Sequence, residues 1–183
     1  MGQSLSLYTL DTSNFEQLHA SKGQDKAAMA EAKFSLLLQK TFMGLEYVLL
    51  KGRSEDEKEI LQWLFTPDQF ITPYDFKNVD PESLSDEETA DYWDAVERMI
   101  PYLSPDQIKT IHQVLQTIPV DHIRQNFNAQ ELNEENIYPW AWADSDDPNV
   151  AYTARELSEN LEGLKATFQQ ADEQQAYILC YIG

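Results

Sequence analysis

The stretch AYILCYIG at the C-terminal end contains an unbroken run of apolar strand formers from Tyr177 to Ile182. A run this apolar reads as a strand and is suited to the middle of a sheet, so it demands partners elsewhere in the chain. The other strong strand pattern lies at the opposite end. In SLSLYTL, Leu5 and Leu7 alternate with Ser4, Ser6 and Tyr8, the two-residue period of a half-buried strand. The two chain ends are therefore expected side by side in one sheet.

Between them the sequence reads as mostly helical, and several helix starts are marked by caps. Ser13 with Glu16, Ser54 with Glu57, Ser85 with Glu88 and Ser104 with Gln107 have the capping-box spacing, in which the two side chains satisfy orphaned backbone N–H groups reciprocally. Leu103 and Ile108 flank the Ser104 box as a hydrophobic staple, Pro105 suits the first helical position, and Phe127 with Leu132 repeats the staple around Asn128. The clearest helical period is in PNVAYTARELSENLEGLKATFQQA, where Val150, Ala154, Leu157, Leu161, Leu164, Phe168 and Ala171 form one stripe. Asp147 as N-cap and Pro148 at the first position would start that helix. Ile108, Ile111, Leu115 and Ile118 form a shorter stripe, and KTFMGLEYVLLKG reads as a buried helix stopping at Gly52. QFITPYDF supplies one short strand, limited by Pro73. These elements predict an α+β fold: a mostly helical single domain, residues 1 to 183, packed on a small sheet containing both termini. Residues around 77 to 100 form an acidic helical elaboration, and the turn-rich part from 77 to 86 is the segment expected to be mobile.

The chain carries 13 basic and 32 acidic residues, a formal net charge of -19, while 42% of its residues are apolar. That apolar share is enough for a core, so the acid excess belongs to the surface. It repels nucleic acid phosphates and anionic lipid and favours basic partners. One cysteine forms no internal disulfide, and no stretch approaches the ~20 apolar residues that span a bilayer. No secretory leader is visible. A cytoplasmic location follows as the expectation. MGQSLS matches the N-myristoylation pattern at Gly2, but a single acyl chain without a basic patch anchors poorly, and the strand is the better reading of this stretch.

Four segments in order, an N-terminal MG before a strand, KTFMGLEYVLLKG, FNAQELNEENIYPWAW and QQAYILCYIG, resemble the YfbM-like family, a bacterial domain of unknown function. The likeness spans nearly the whole chain, with Tyr138, Pro139 and Trp142 in the family's pattern. It implies an α+β bacterial cytosolic protein and carries over no catalytic residue. It also implies, from the company such families keep, a place among immunity proteins of bacterial toxin systems. The acidic segment 77 to 97 departs from the family pattern.

The chemistry-bearing residues are sparse. His112 and His122 lie outside any HExxH arrangement, and His112 sits at the edge of an apolar stripe as a hydrogen-bonded boundary residue. Cys180 shares a strand face with Ile178 and reads as a small buried hydrophobe. Taken as a calcium loop from Asp144, the chain places Asn149 and Arg155 where glycine and glutamate are required, so the reading fails. No metal or cofactor is expected. In YPWAW, Trp142 is assigned to packing under the long helix, and Trp140 is either a second core plug or an exposed binding anchor. From Asp80 to Glu97 there are eight acids and no base. The leading expectation is a non-enzymatic binding protein, an immunity protein that blocks a basic toxin. Its partner-binding candidates are Asp86, Glu87, Asp91, Asp94, Trp140, Asp144 and Asp146. The alternatives are an enzyme using scattered carboxylates such as Glu134, Glu135 or Asp144 with a histidine, and an acidic nucleic-acid mimic.

Overall fold

A computed structural model describes residues 3–183 except 75, 77, 78, 80–82 and 120. The acylation pattern at Gly2, the acids Asp80 and Glu82, and half of the segment expected to be mobile lie outside the described residues. Among those described, five strands form one antiparallel sheet: β1 (Ser4–Leu10), β2 (Lys33–Gln39), β3 (Gln69–Ile71), β4 (Ile100–Leu103) and β5 (Tyr177–Ile182), in the order β2-β1-β5-β4-β3. The chain ends pair directly, Leu5 with Ile182, Leu7 with Cys180 and Thr9 with Ile178. This is the arrangement their apolar patterns demand, because β5 is buried on both faces: Ile178 and Cys180 on one, Leu179 on the other.

The helices are α1 (Thr12–Ala20), α2 (Lys26–Ala30), α3 (Phe42–Leu50), α4 (Glu55–Phe65), α5 (Asp86–Glu97), α6 (Pro105–Thr117), α7 (His122–Asn126), α8 (Ala129–Glu134) and α9 (Ala154–Gln174). Helices α3, α4, α6, α7, α8 and α9 cover one sheet face and build the main core with Leu5, Leu7, Leu38, Leu103, Ile178 and Cys180. Helices α1 and α2 cover part of the other face, where Phe15, Leu18 and Ala28 pack on Leu10, Ile71, Ile100 and Leu179. The Phe15 ring stacks on Tyr177, with centroids 3.5 Å apart. The fold is α+β, as the sequence predicts.

Three of the four capping boxes form, at Ser54, Ser85 and Ser104, and Asn128 caps α8 by accepting from the Glu131 N–H. The expected box at Ser13 does not. Asp11 is the N-cap of α1, its carboxylate accepting from both the backbone and the side chain of Asn14. The ionised acceptor outcompetes the serine hydroxyl two residues on. The long helix also starts later than Asp147 and Pro148 suggest. Tyr152 sits at φ 60, its carbonyl accepts from the Ala143 N–H at 3.0 Å, and α9 begins only after Thr153. That bond ties the segment to the preceding loop, so Asp147 instead closes a local turn by accepting from Asn149. The stripe Leu157, Leu161, Leu164, Phe168 and Ala171 is buried as expected, while Val150 and Ala154 are only half-buried.

Strands β2 and β4 are missing from the sequence reading. KFSLLLQ lacks alternation because β2 is an edge strand whose register slips through a bulge beside Leu7 and Tyr8, and IPYL carries Pro101. Trp142, expected under the long helix, is buried against α3. A Cβ built on Gly44 would lie 2.2 Å from its ring, so α3 and the indole touch only because position 44 has no side chain. Replacing Gly44 with Ala overpacks this contact and should cost about 1–3 kcal/mol, measurable as a lowered denaturant midpoint. Cys180, 1% exposed, has its thiol pushed up to about 12 by burial, and should react with a thiol reagent only at the rate of unfolding.

Candidate functional site

Helix α5 is built from a strong start and a thin buried face. Ser85 accepts from the Glu88 N–H and Glu88 returns two bonds to Ser85, which hold the Glu88 carboxyl below its ordinary range. Asp86 and Glu87 occupy the first turn, where the helix dipole favours negative charge. Only Ala95 is fully buried on this helix, and Tyr92 joins Tyr74 and Phe76 through edge-on ring contacts at 5.9 and 5.3 Å. With Ala95 and Tyr92 turned inward, the three-and-four spacing brings Asp86, Ala90, Trp93 and Glu97 to the outward face. Trp93 is 56% exposed there. Asp86, Glu87, Asp91 and Glu97 make no ion pair among the described residues, whereas Asp94 pairs with Arg98 at 3.0 Å. Arg98 lies one residue past the acid run, and as an exposed pair it contributes about 0–1 kcal/mol.

The other sequence-predicted residues are elsewhere. The Tyr138–Pro139 bond is cis, Trp140 adopts φ 63, and the two indoles of the loop diverge. The Trp142 N–H groups donate to Asn133 Oδ1 and to the Ile137 carbonyl, while Asn133 Nδ2 donates back to the Trp142 carbonyl. That ring is a core plug. Trp140 stays 61% exposed, its indole N–H donating to the Asn136 carbonyl and its ring edge-on to Tyr138. Asp144 and Asp146 line a shallow cleft of about 360 Å³ that they share with Arg124, Phe127 and Arg155. They therefore face cationic neighbours of their own chain rather than extending the acidic helix. No hydrogen bond, ion pair or ring contact among the described residues links α5 to this loop.

His112 and His122 are held in structural bonds. His112 Nδ1 lies 2.8 Å from Asp172 Oδ2, joining α6 to α9. His122 is buried, with Nε2 3.2 Å from the Val48 carbonyl and Nδ1 3.3 Å from both Arg53 Nη2 and Asn126 Nδ2. A neutral ring donating from Nε2 and accepting at Nδ1 satisfies all three contacts. Glu134 accepts from Gln130 on its own helix, and the carboxylate that meets His112 is Asp172, not one of those named for the enzyme reading. Among the described residues no group of three or more His, Cys, Asp or Glu is placed to hold a metal ion. A cleft of about 590 Å³ opens where β4 and β5 part, walled by Lys22, Arg98, Ile100, Pro101, Tyr181 and Ile182. The nucleophilic group on its border is Cys180, protonated and buried. Trp93 is the residue that the sequence reading passed over. Its signal was available: placed on a helical wheel, it falls on the outward side of α5.

The architecture defines an α+β protein with a carboxylate-rich helix, α5, exposed on its surface. A family model described as Domain of unknown function (DUF1877) matches residues 1–181, and the chain belongs to that family. Among solved structures it is similar to the protein of unknown function YfbM from Escherichia coli, at 17% identity over 98% of this chain and 99% of that one, with a TM-score of 0.56. At that identity the likeness concerns the fold. A search of curated proteins finds no match. No helix of the described residues is long and apolar enough to cross a membrane.

Burial lowers the His122 pKa, with nearby Arg53 acting in the same direction. Because the folded value lies below the unfolded one, the stability this histidine confers is present in full above the ordinary histidine range and is lost as pH falls from there through the lowered folded value. Acid titration of the denaturant midpoint should show this decline, and His122→Gln should flatten it.

Proposed function

We propose that this protein is a non-enzymatic protein-binding module that captures a basic partner on α5, and in its sharpest form an immunity protein neutralising a basic bacterial toxin. The observation that carries the reading is Trp93, 56% exposed on a helix face whose surrounding carboxylates Asp86, Glu87, Asp91 and Glu97 have no counter-charge among the described residues. Exposed carboxylates steer a cationic partner within about a Debye length and raise the association rate, and a half-exposed indole is the kind of anchor that dominates interface energetics. An arginine or lysine of the partner stacked on the indole would be met by the flanking carboxylates. Neutralising a toxin in this way requires no chemistry from the inhibitor. The reading confines the contact to α5, with Trp140, Asp144 and Asp146 as its controls.

The test is kinetic. With the basic partner of the native host, replacing Asp86, Glu87, Asp91 and Asp94 by Asn or Gln should slow association and reduce its salt dependence, leaving folding intact. Trp93→Ala should instead speed dissociation, by the ~2 kcal/mol or more that marks a hot spot. Trp140→Ala should change neither rate. Unchanged kinetics in the quadruple variant, or capture of no basic protein from the native host, would leave the acidic face as a solubility device.

A further inference from the structure

We propose that the cleft between β4 and β5 binds a short extended peptide through its backbone and its free carboxylate. The site begins with a split in the sheet. β4 pairs with β5 at Tyr102 with Leu179 and Leu103 with Ile178, and there the pairing ends. Beyond it, Ile100 and Pro101 pair with Ile71 and Phe70 of β3, while Cys180, Tyr181 and Ile182 pair with Leu7, Ser6 and Leu5 of β1. The next position in register would set Pro101 opposite Cys180, and proline has no N–H to donate. The ladder stops where its donor is missing.

The split leaves β5 with a short unpaired edge. Ser4 and Gly183 exchange both backbone bonds, at 2.7 and 3.0 Å. By the alternation of an antiparallel ladder, Tyr181 also turns its backbone groups to β1, so the Cys180 carbonyl and both backbone groups of Ile182 face the cleft. Groups of this kind are a template for an added strand, in which main-chain bonds supply the affinity. The length on offer selects a short chain. The edge from Cys180 to Ile182 spans three residues, about 10 Å at the ~3.4 Å rise of a strand, and the Tyr102–Leu179 pair closes its inner end.

The walls of the cleft fit that occupant. Ile100, Pro101 and Ile182 line it, Ile182 being 53% exposed, and its volume of about 590 Å³ falls within the ~300–1,000 Å³ of small-ligand sites. In a chain with 32 acids and 13 bases, the lining carries Lys22 and Arg98 against Glu97 alone among the described residues. Lys22 is placed by the turn that ends α1. Lys22 and Gly23 adopt φ 55 and 82, the Gly23 N–H donates to the Leu18 carbonyl at 2.9 Å, and a Cβ on Gly23 would lie 3.3 Å from Ile100 Cδ1. The turn therefore rests on β4. Lys22 enters no ion pair among the described residues, whereas Arg98 is shared with Asp94. Cations beside unpaired strand groups select a peptide that carries a carboxylate over an uncharged or cationic one.

Amide NMR of the full chain tests this, with the tripeptide Ala-Val-Ala added as its free acid and, separately, as its C-terminal amide. The free acid should shift the Ile182 amide and slow its hydrogen exchange, while the Gly183 amide, already bonded to Ser4, keeps its protection. The C-terminal amide should bind about tenfold more weakly, the loss of one charge-assisted contact, and Lys22→Gln should remove the difference between the two peptides. Pro101→Val, which supplies the missing donor, should let β4 close onto Cys180 and abolish binding; the titrations of the unsubstituted protein do not depend on that variant folding. An Ile182 amide indifferent to the free acid overturns the proposal, as do equal affinities of the unsubstituted protein for the acid and the amide.

Discussion

The pairing of β1 with β5 is the contact on which the remainder of the structure rests. It brings residues at opposite ends of the chain into register over six positions, from Leu5 with Ile182 to Leu10 with Tyr177. Loop-closure entropy makes so distant a pairing slow to form, and what offsets it is burial on both faces of β5. Ile178 and Cys180 enter the main core and Leu179 the smaller one. Helices on a single face would leave Leu179 in water. The short α1 and α2 exist, in energetic terms, to cover that second face.

A sheet buried in this way has no room for charge, and the acid excess is displaced onto helices and loops. Part of it is structural there. Glu57 and Glu88 close capping boxes, Asp11 caps α1, and Glu131 accepts from both Tyr47 and Lys51. Lys51 and Tyr47 hold the Glu131 carboxyl below its ordinary range, and the Tyr47 phenol is pushed up to about 12 by the same hydrogen bond. These carboxylates are occupied by neighbours in the fold. Those on the outward face of α5 are not, Asp94 excepted, and that contrast separates charge that builds the structure from charge available to a partner.

Two tryptophans of one loop show how little separates a structural role from a free one. Trp142 and Trp140 lie two residues apart, and each indole N–H donates to a backbone carbonyl of the same turn. The left-handed backbone at Trp140 turns its ring outward, while Asn133 clamps the backbone of Trp142 and the absent side chain at Gly44 admits its ring to the core. The clamp comes from the helix just before the loop, but the gap at Gly44 is far from it in sequence.

Local physics was legible from the amino-acid order alone. The alternating and continuous apolar runs specified the terminal strands, three serine boxes marked helix starts through bonds spanning three residues, and the stripe from Leu157 to Ala171 announced a helix docked on a core. The acidic α5 could be placed as well, and with it the carboxylates Asp86, Glu87 and Asp91. Where competition between acceptors or between distant segments decides, the sequence was silent. Asp11 over Ser13, Thr153 over Asp147 and the edge strand β2 depend on what the neighbouring chain offers. Only the tertiary structure set Asp144 and Asp146 into a cleft with Arg124 and Arg155, because that outcome follows from which surfaces are already covered, a property of the packed whole and not of any segment.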